Sequence, residues 1–275
     1  MPSTEPLALG SVQKTLLLPL WGRAVESGKA HPLLRDPAAV KIMAGLPFDF
    51  AAMARNLSPI TRLSWIARSL HIDRTVRAFL DSHPEATIVN LGCGLDTTFE
   101  RVDNGRLRWF DLDLPDVIAL RRRLIPEGER CRTIAGSLLD DSWRKGVVPA
   151  DPVLFFAAGV LYYFREDQVR ALLSGLAGAF PGAEMVFDAC SPLGRRIANK
   201  RVIEAGGMDA GVQLQWGLSH ARAMEAWDSR VVVIESYPMF RGARRGLSLS
   251  EKAGTLVSDA VNIMFMVHLR LGGRP

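Results

Sequence analysis

The sequence predicts an α/β protein built around a doubly wound, mostly parallel sheet of seven strands. Two observations lead to this prediction. From residue 84 onward, short apolar runs alternate with polar stretches of helical length, a pattern typical of βαβ units. The first of these runs leads directly into a Gly-x-Gly turn, and the turn after the first strand is where sheets of this kind bind ligands.

Seven runs have the length and composition of strands. Most are rich in β-branched and aromatic residues, and the run at 153–158 is apolar without interruption, which indicates a strand buried on both faces. The predicted strands are residues 87–91, 107–113, 132–135, 152–157, 184–188, 230–236 and 262–271.

Four helices are predicted with defined limits. Residues 36–44 begin with Asp36 as a cap and Pro37 in the first helical position. Residues 62–81 place apolar side chains at helical spacing, and residues 115–124 and 165–179 lie between predicted strands. We therefore expect a helical N-terminal cover over residues 1–83 and a second domain over residues 84–275. The polar stretch at about 191–229 should form a helical lid inserted after the fifth strand.

Composition narrows the classes of partner. The 275 residues include 34 basic and 29 acidic ones, a net charge of +5, but the arginines are scattered and no aromatic residues alternate with them. We therefore expect no nucleic-acid partner. No apolar run approaches the roughly 18 residues of a membrane span, so we expect no membrane partner. Three cysteines provide neither a disulfide framework nor a metal-binding spacing, which favours a reducing, cytoplasmic location.

The turn after the first predicted strand suggests a binding loop. Gly92 and Gly94 allow a tight turn with no Cβ atom to block a ligand. A dinucleotide-binding fingerprint would have a third glycine at position 97, where this sequence has Thr97. The ligand should therefore lack a pyrophosphate. Thr97 and Glu100 also have the spacing of a capping box at the start of the next helix.

Two acidic residues lie about 20 positions beyond this turn. Asp111 and Asp113 end the second predicted strand, and an acidic residue there can accept hydrogen bonds from ribose hydroxyls. Together, the turn and the acids indicate a nucleoside-containing ligand. S-adenosylmethionine fits, because it carries a nucleoside without a pyrophosphate.

At this point the sequence resembles the leucine carboxyl methyltransferase superfamily, and within it the tetracenomycin-type polyketide O-methyltransferases. The resemblance extends over nearly the whole chain and implies the class I methyltransferase fold, which is Rossmann-like. It is carried by residues 14–17, 67–69 with Asp73, 90–97, 111–115, 159–163 and 215–218.

The resemblance implies roles for several residues in binding S-adenosylmethionine. Arg68 matches the arginine that holds the methionine carboxylate, and Lys14 matches a second basic contact at that end. Gly92 and Gly94 would pass under the adenosyl group. Asp113 matches the ribose ligand, which leaves Asp111 with a structural role.

Two further pairs of residues follow from the resemblance. Ser137 and Leu138 match the pair that brackets adenine. At position 158 the leucine carboxyl methyltransferases carry a glutamate, and here the residue is Ala158. If that glutamate steadies the amino end of the cofactor, we expect backbone carbonyls near Ala158 and Gly159 to do so in this chain.

The acceptor is predicted from the lack of a clear general base. His220, in the lid, and Tyr163, after the fourth strand, are the candidates for catalytic residues. An ionised carboxylate needs no base, and the relatives act on carboxylates, so we expect a small-molecule carboxylate acceptor. The cluster of Arg241, Arg244 and Arg245 would attract such an anion or else form a solvated loop.

Three alternatives remain open at this stage: a phenolic hydroxyl acceptor, a protein C-terminal carboxylate, and a non-catalytic protein that binds S-adenosylmethionine. The apolar side chains of the lid would pack either on the acceptor or into the core; they are Met208, Leu214, Trp216, Leu218, Met224 and Trp227.

Overall fold

A computed structural model of the chain describes residues 13–55, 57–147, 152–204 and 212–273. At its centre is one sheet of seven strands, as the sequence predicts. The strands are β1 (Thr87–Leu91), β2 (Arg108–Asp113), β3 (Cys131–Ala135), β4 (Val153–Ala157), β5 (Glu184–Cys190), β6 (Val231–Pro238) and β7 (Met264–Leu271).

The strands lie in the order β3-β2-β1-β4-β5-β7-β6. The five strands from β3 to β5 are parallel, and β7 runs antiparallel to both of its neighbours. The chain progresses in opposite directions from β1 and from β4, which leaves a crevice at the carboxyl ends of these strands. Cys190 at the end of β5 is opposite Met264 at the start of β7, so β7 begins at this same edge.

Nine α-helices are present in the described residues. They are α1 (Leu17–Ser27), α2 (Pro37–Ala44), α3 (Phe50–Ala54), α4 (Pro59–Ser82), α5 (Thr98–Val102), α6 (Pro115–Leu124), α7 (Glu166–Ala179), α8 (Pro192–Ala198) and α9 (Leu249–Ala260). Short 3-10 helices cover Gln13–Leu16, Ser142–Gly146, Leu161–Tyr163 and Ala221–Ala226, and a π-helical turn follows α8 at Asn199–Glu204. None of the described helices is long and apolar enough to cross a membrane.

The sheet is covered on both faces. Along β1, Ile88 faces one hydrophobic cluster, with Ala67 and Val76 of α4, and Val89 faces another, with Leu172 of α7. Successive side chains of a strand point to opposite faces, and here both sets are buried. The central strands therefore read as uninterrupted apolar runs in the sequence.

The predicted helices form with small shifts in their limits. The side chain of Asp36 accepts a hydrogen bond from the Ala39 amide, and α2 begins at Pro37 as predicted. The long helix α4 begins three residues before the predicted start, because Ser58 caps it by accepting from the Thr61 amide. Since α4 shares a core with the sheet, the division of the chain at residues 83 and 84 stays a prediction.

One local prediction is wrong, and another agrees with the structure only in part. The Thr97 side chain makes no cap bond to α5, because its hydroxyl donates instead to Asp36 Oδ2 at 2.5 Å. The expected lid is helical only in part, since 212–220 contains no helix. In that segment the backbone amide of Gln215 donates to the Tyr162 carbonyl, and the backbone amide of Leu218 donates to the Cys190 carbonyl. These bonds hold the segment against the 3-10 helix after β4 and the end of β5.

Candidate functional site

A cavity of about 740 Å³ lies along the carboxyl edge of the sheet. Its walls at one end come from the turns after β1, β2, β3 and β4, and at the other end from α8, the π-helical turn, α9 and the start of β7. We call these the polar end and the apolar end. The N-terminal helices α1 and α4 complete the walls, so the cavity lies at the switch point that the sheet order predicts.

The glycine turn forms the floor of the polar end. Gly92 and Gly94 both have positive φ angles, +70° and +48°, which other residues rarely adopt. A Cβ atom on Gly92 would lie 2.7 Å from Cγ2 of Val160, so the turn also needs a residue without a side chain there. Both glycines line the cavity, where the sequence places them.

The two acids after β2 have different surroundings. Asp113 lines the cavity and accepts hydrogen bonds from the backbone amides of Gly94, at 2.7 Å, and Leu114, at 2.8 Å. Burial raises the pKa of its carboxyl group above the usual value. Asp111 is fully buried and accepts bonds from Trp109, Asn90 and Arg121.

Arg68, on α4, lines the cavity. Its Nη1 donates to Oδ2 of Asp188 at 3.0 Å and to the Tyr162 hydroxyl at 3.1 Å. Burial lowers the pKa of this guanidinium, but the charges of Asp188 and Tyr162 and the hydrogen bonds to both together outweigh burial and raise it. Asp188 itself is fully buried, and its second oxygen accepts from the Gly159 amide at 2.6 Å. One carboxylate therefore connects α4, β5 and the turn after β4.

The remaining residues of the polar end lie where the sequence suggests. Ser137 and Leu138 line the cavity after β3, and Ala158 and Gly159 line it after β4. Gly159 has a φ of +81°, and a Cβ atom on it would lie 2.5 Å from Nη1 of Arg68. The guanidinium thus packs directly on this glycine.

Asp188 is a residue that the sequence analysis missed. It is the one acid within the buried part of β5, after the apolar run Met185–Phe187. A buried charge requires a partner, so an acid in a strand buried on both faces is itself a signal of a buried ion pair. The partner, Arg68, lies 120 positions earlier in the sequence.

A second buried network, also missed, joins the N-terminal helices to the glycine turn. Asp36 Oδ2 accepts from Arg23 Nε at 2.9 Å and from Arg101 Nη1 at 2.8 Å, in addition to the Thr97 hydroxyl. Arg23 also donates to the carbonyl of Leu95 within the turn, at 2.8 Å. The conformation of the turn therefore depends on α1 and α2.

The candidates for catalytic residues are in different places. Tyr163 lines the cavity, and burial raises the pKa of its phenol. His220 is exposed, does not line the cavity, and precedes the 3-10 helix Ala221–Ala226, so the structure corrects its predicted place facing a substrate. The path of residues 212–219 along the sheet edge carries it away from the cavity. The side chain of Lys14 and the whole of Met208 lie outside the described residues.

Most of the lid's apolar side chains belong to the core. Trp216, Leu218 and Met224 are buried in the cluster under α7, and Trp227 packs against it. Among the described apolar side chains of the lid, the side chain of Leu214 lines the cavity.

The arginine cluster after β6 does not reach the cavity. Arg241 lies over the ring of Tyr237, Arg244 pairs with Asp259, and Arg245 is exposed.

The fold and the cavity define an α/β protein that binds a nucleoside-type ligand at the switch point of its sheet. Comparison with known proteins specifies the family. Residues 17–177 match the leucine carboxyl methyltransferase family model. The chain belongs to this family, and it is a methyltransferase.

Individual relatives agree with this assignment. The tetracenomycin polyketide synthesis O-methyltransferase TcmP of Streptomyces glaucescens is 32% identical over 224 residues, 81% of each chain. The S-adenosyl-L-methionine-dependent methyltransferase dpfgK of Gibberella zeae is 28% identical over 256 residues, which cover 84% of this chain and 85% of the relative. The crystal structure of a DUF574 family protein from Streptomyces avermitilis has the same fold, with a TM-score of 0.60 and 14% identity over 93% of this chain and 97% of that one.

Proposed function

We propose that the protein transfers a methyl group from S-adenosylmethionine to a carboxylate of a hydrophobic small molecule. The observation that carries this proposal is the composition of the apolar end of the cavity. The charged residues among the described cavity lining are Arg23, Arg68, Asp96 and Asp113, and all four belong to the polar end or its border. Within the described lining, the apolar end therefore offers no charged side chain that could remove a proton from the acceptor. A nucleophile that binds there would have to be ionised before the reaction.

The donor is S-adenosylmethionine. Two of the relatives in this family, dpfgK and TcmP, are named as an S-adenosylmethionine-dependent methyltransferase and an O-methyltransferase, and the prediction from the sequence is confirmed. The residues fit this group, because Gly92, Gly94 and Gly159 line the same cavity as the guanidinium of Arg68 and the carboxylate of Asp113. When bound, the donor supplies a methyl group on a positively charged sulfur.

Each polar residue has a proposed task in binding the donor. Arg68 would hold the carboxylate, since both of its hydrogen bonds in the described structure come from Nη1 and Nη2 remains for a ligand. Asp113 would accept from the ribose hydroxyls with the lone pairs that its two amide bonds leave unused. Leu138 would pack on adenine beside Ser137, and carbonyls near Ala158 and Gly159 would face the amino group. Lys14 keeps its proposed role as a second contact.

Apart from the acids Asp96 and Asp113 of the polar end, no described residue that lines the cavity could serve as a base at neutral pH. Tyr162, Tyr163 and Cys190 line the cavity, and burial raises the pKa of each, for Cys190 to about 12. A carboxylic acid acceptor, with an ordinary pKa of about 4, loses its proton without help. The protein then has to exclude water and hold the acceptor in line with the methyl group, and positioning of this kind supplies about 7–11 kcal/mol.

The acceptor is proposed to be polyketide-like. TcmP, the relative with 32% identity, is named for a polyketide synthesis, and the apolar end suits a molecule of that character. We also propose a cytoplasmic location, since the three cysteines are buried and unpaired.

The pH dependence of the rate tests the acceptor group. With a carboxylic acid as acceptor, the rate at saturating donor should stay flat from about pH 6 to 9, because the acceptor is ionised throughout. A phenol, with an ordinary pKa of about 10, would give a rate that climbs roughly tenfold per pH unit over this range. Methylation of phenols and not of carboxylic acids would overturn the proposal.

A further inference from the structure

The mouth of the apolar end is lined by side chains that are both apolar and exposed. Leu193 of α8, Val257 of α9 and Val261 just after α9 line the cavity, yet they are 42%, 63% and 47% exposed. Single exposed apolar residues are ordinary, but three around one opening form a patch, and such patches mark binding sites. We call these three residues the rim.

The rim is continuous with the apolar wall inside. Ile197 of α8, Ile203 of the π-helical turn and Met264 at the start of β7 line the same end of the cavity. Gly254 of α9 and Ile60 of α4 also line the cavity, and a Cβ atom on Gly254 would collide with the Ile60 side chain. Helix α9 therefore packs closely against α4 at the cavity wall, and Val257 of the rim lies one helical turn beyond Gly254.

From this continuity we infer that the acceptor is longer than the cavity, and that its apolar body extends from the reacting group to the rim. This inference depends on the proposed function only for the identity of the reacting group. The body of the acceptor would cover the rim. Removing the apolar side chains of the rim from water would favour binding. The substrate class is therefore a hydrophobic molecule with its reacting group at one end and an apolar part at the other, and Leu193, Val257 and Val261 determine its specificity.

Two matched series of probes test this inference: 4-alkylbenzoic acids and 4-alkylphenols, with alkyl chains of increasing length. Binding to the protein saturated with S-adenosylhomocysteine is measured by calorimetry, and methyl transfer is measured separately with a labelled donor. Affinity should rise roughly two- to fourfold for each methylene that reaches the wall and rim, since burying a methylene contributes about 0.8 kcal/mol. The rise should stop once the chain extends past the rim.

A pair of neighbouring variants makes the test specific. Val257→Asp places a charge at the rim and should reduce the affinity for the longest probes at least tenfold, with little effect on the shortest. Leu256→Asp is the control, because Leu256 is 55% exposed on the same helix but does not line the cavity. Leu193→Asp tests the opposite side of the mouth and should act like Val257→Asp. Thermal unfolding and S-adenosylhomocysteine binding show that each variant is folded.

The outcomes separate the two proposals. Affinity that does not depend on chain length, or equal effects of Val257→Asp and Leu256→Asp, would overturn the inference about the rim whichever series is methylated. A length dependence in both series with methyl transfer to the phenols alone would support the rim and reject the carboxylate acceptor. A length dependence with transfer to the acids supports both.

Discussion

Arg68 and Asp188 form a buried ion pair, Nη1 to Oδ2 at 3.0 Å, behind the wall of the cavity. The side chain of Asp188 is inaccessible to solvent and does not line the cavity, whereas Arg68 does. The carboxylate also accepts from the Gly159 amide. Asp188 thus acts as a positioning residue, since it orients both the guanidinium and the turn on which the guanidinium packs.

Asp188→Asn should weaken donor binding more than it slows turnover. The amide keeps the size of the side chain but loses the charge that orients Arg68, so we expect the KM for S-adenosylmethionine to rise about tenfold and kcat to change less. Steady-state kinetics and calorimetry with S-adenosylhomocysteine measure this. Glu184→Gln is the control on the same strand, because Glu184 pairs with His268 away from the cavity. An unchanged KM in Asp188→Asn would contradict the positioning role.

Gly159→Ala should weaken donor binding for a steric reason. Its Cβ atom would lie 2.5 Å from Nη1 of Arg68 and would displace the guanidinium. Gly182→Ala separates this effect from backbone strain, since Gly182 also has a positive φ, +88°, but no atom lies near the added Cβ. Both variants should lose about 1–2 kcal/mol of stability from strain. Only Gly159→Ala should reduce the affinity for S-adenosylhomocysteine, by tenfold or more, and equal affinities in the two variants would refute this account.

Asp36→Ala tests the network that joins α1 and α2 to the glycine turn. It would leave Arg23 and Arg101 buried with fewer partners, and removing one member of a buried pair costs about 3–5 kcal/mol. Asp49→Ala removes a comparable helix cap, at the exposed start of α3, and should cost about 1 kcal/mol. Urea unfolding measures both. A loss in Asp36→Ala no larger than in Asp49→Ala would show that Asp36 stabilises only its helix.

The sheet could be predicted because its signal is local. Strands buried on both faces appear as unbroken apolar runs, and the Gly-x-Gly turn followed by Asp113 marks the switch point in a single stretch of sequence. Helix α2 could be predicted for the same reason, since its cap and its first residue, a proline, are adjacent in the sequence.

What escaped prediction depends on contacts between distant parts of the chain. The pairing of Arg68 with Asp188 joins residues 120 positions apart. The Thr97 hydroxyl does not cap its own helix and instead donates to Asp36, 61 positions away. The path of residues 212–220 depends on backbone bonds to Tyr162 and Cys190, so the place of His220 could not be derived from its neighbours in sequence. An acid at a buried position, such as Asp36 or Asp188, indicates a buried ion pair, because a buried charge requires a partner.

The pair formed by Glu184 and His268 should make stability depend on acid pH. His268 Nε2 lies 2.8 Å from Glu184 Oε2, and this hydrogen bond lowers the pKa of the Glu184 carboxyl below its usual value, despite partial burial. A carboxyl whose pKa is lower in the folded state contributes stability above its unfolded pKa, near 4.5, and loses that contribution as the pH falls through the folded pKa. The free energy of unfolding of the wild type should therefore exceed that of Glu184→Gln at pH 6, and the difference should shrink as the pH falls below about 4.5. Urea unfolding of both proteins at several pH values measures this, and a difference that stays constant down to pH 3 would show that the pair contributes through packing rather than charge.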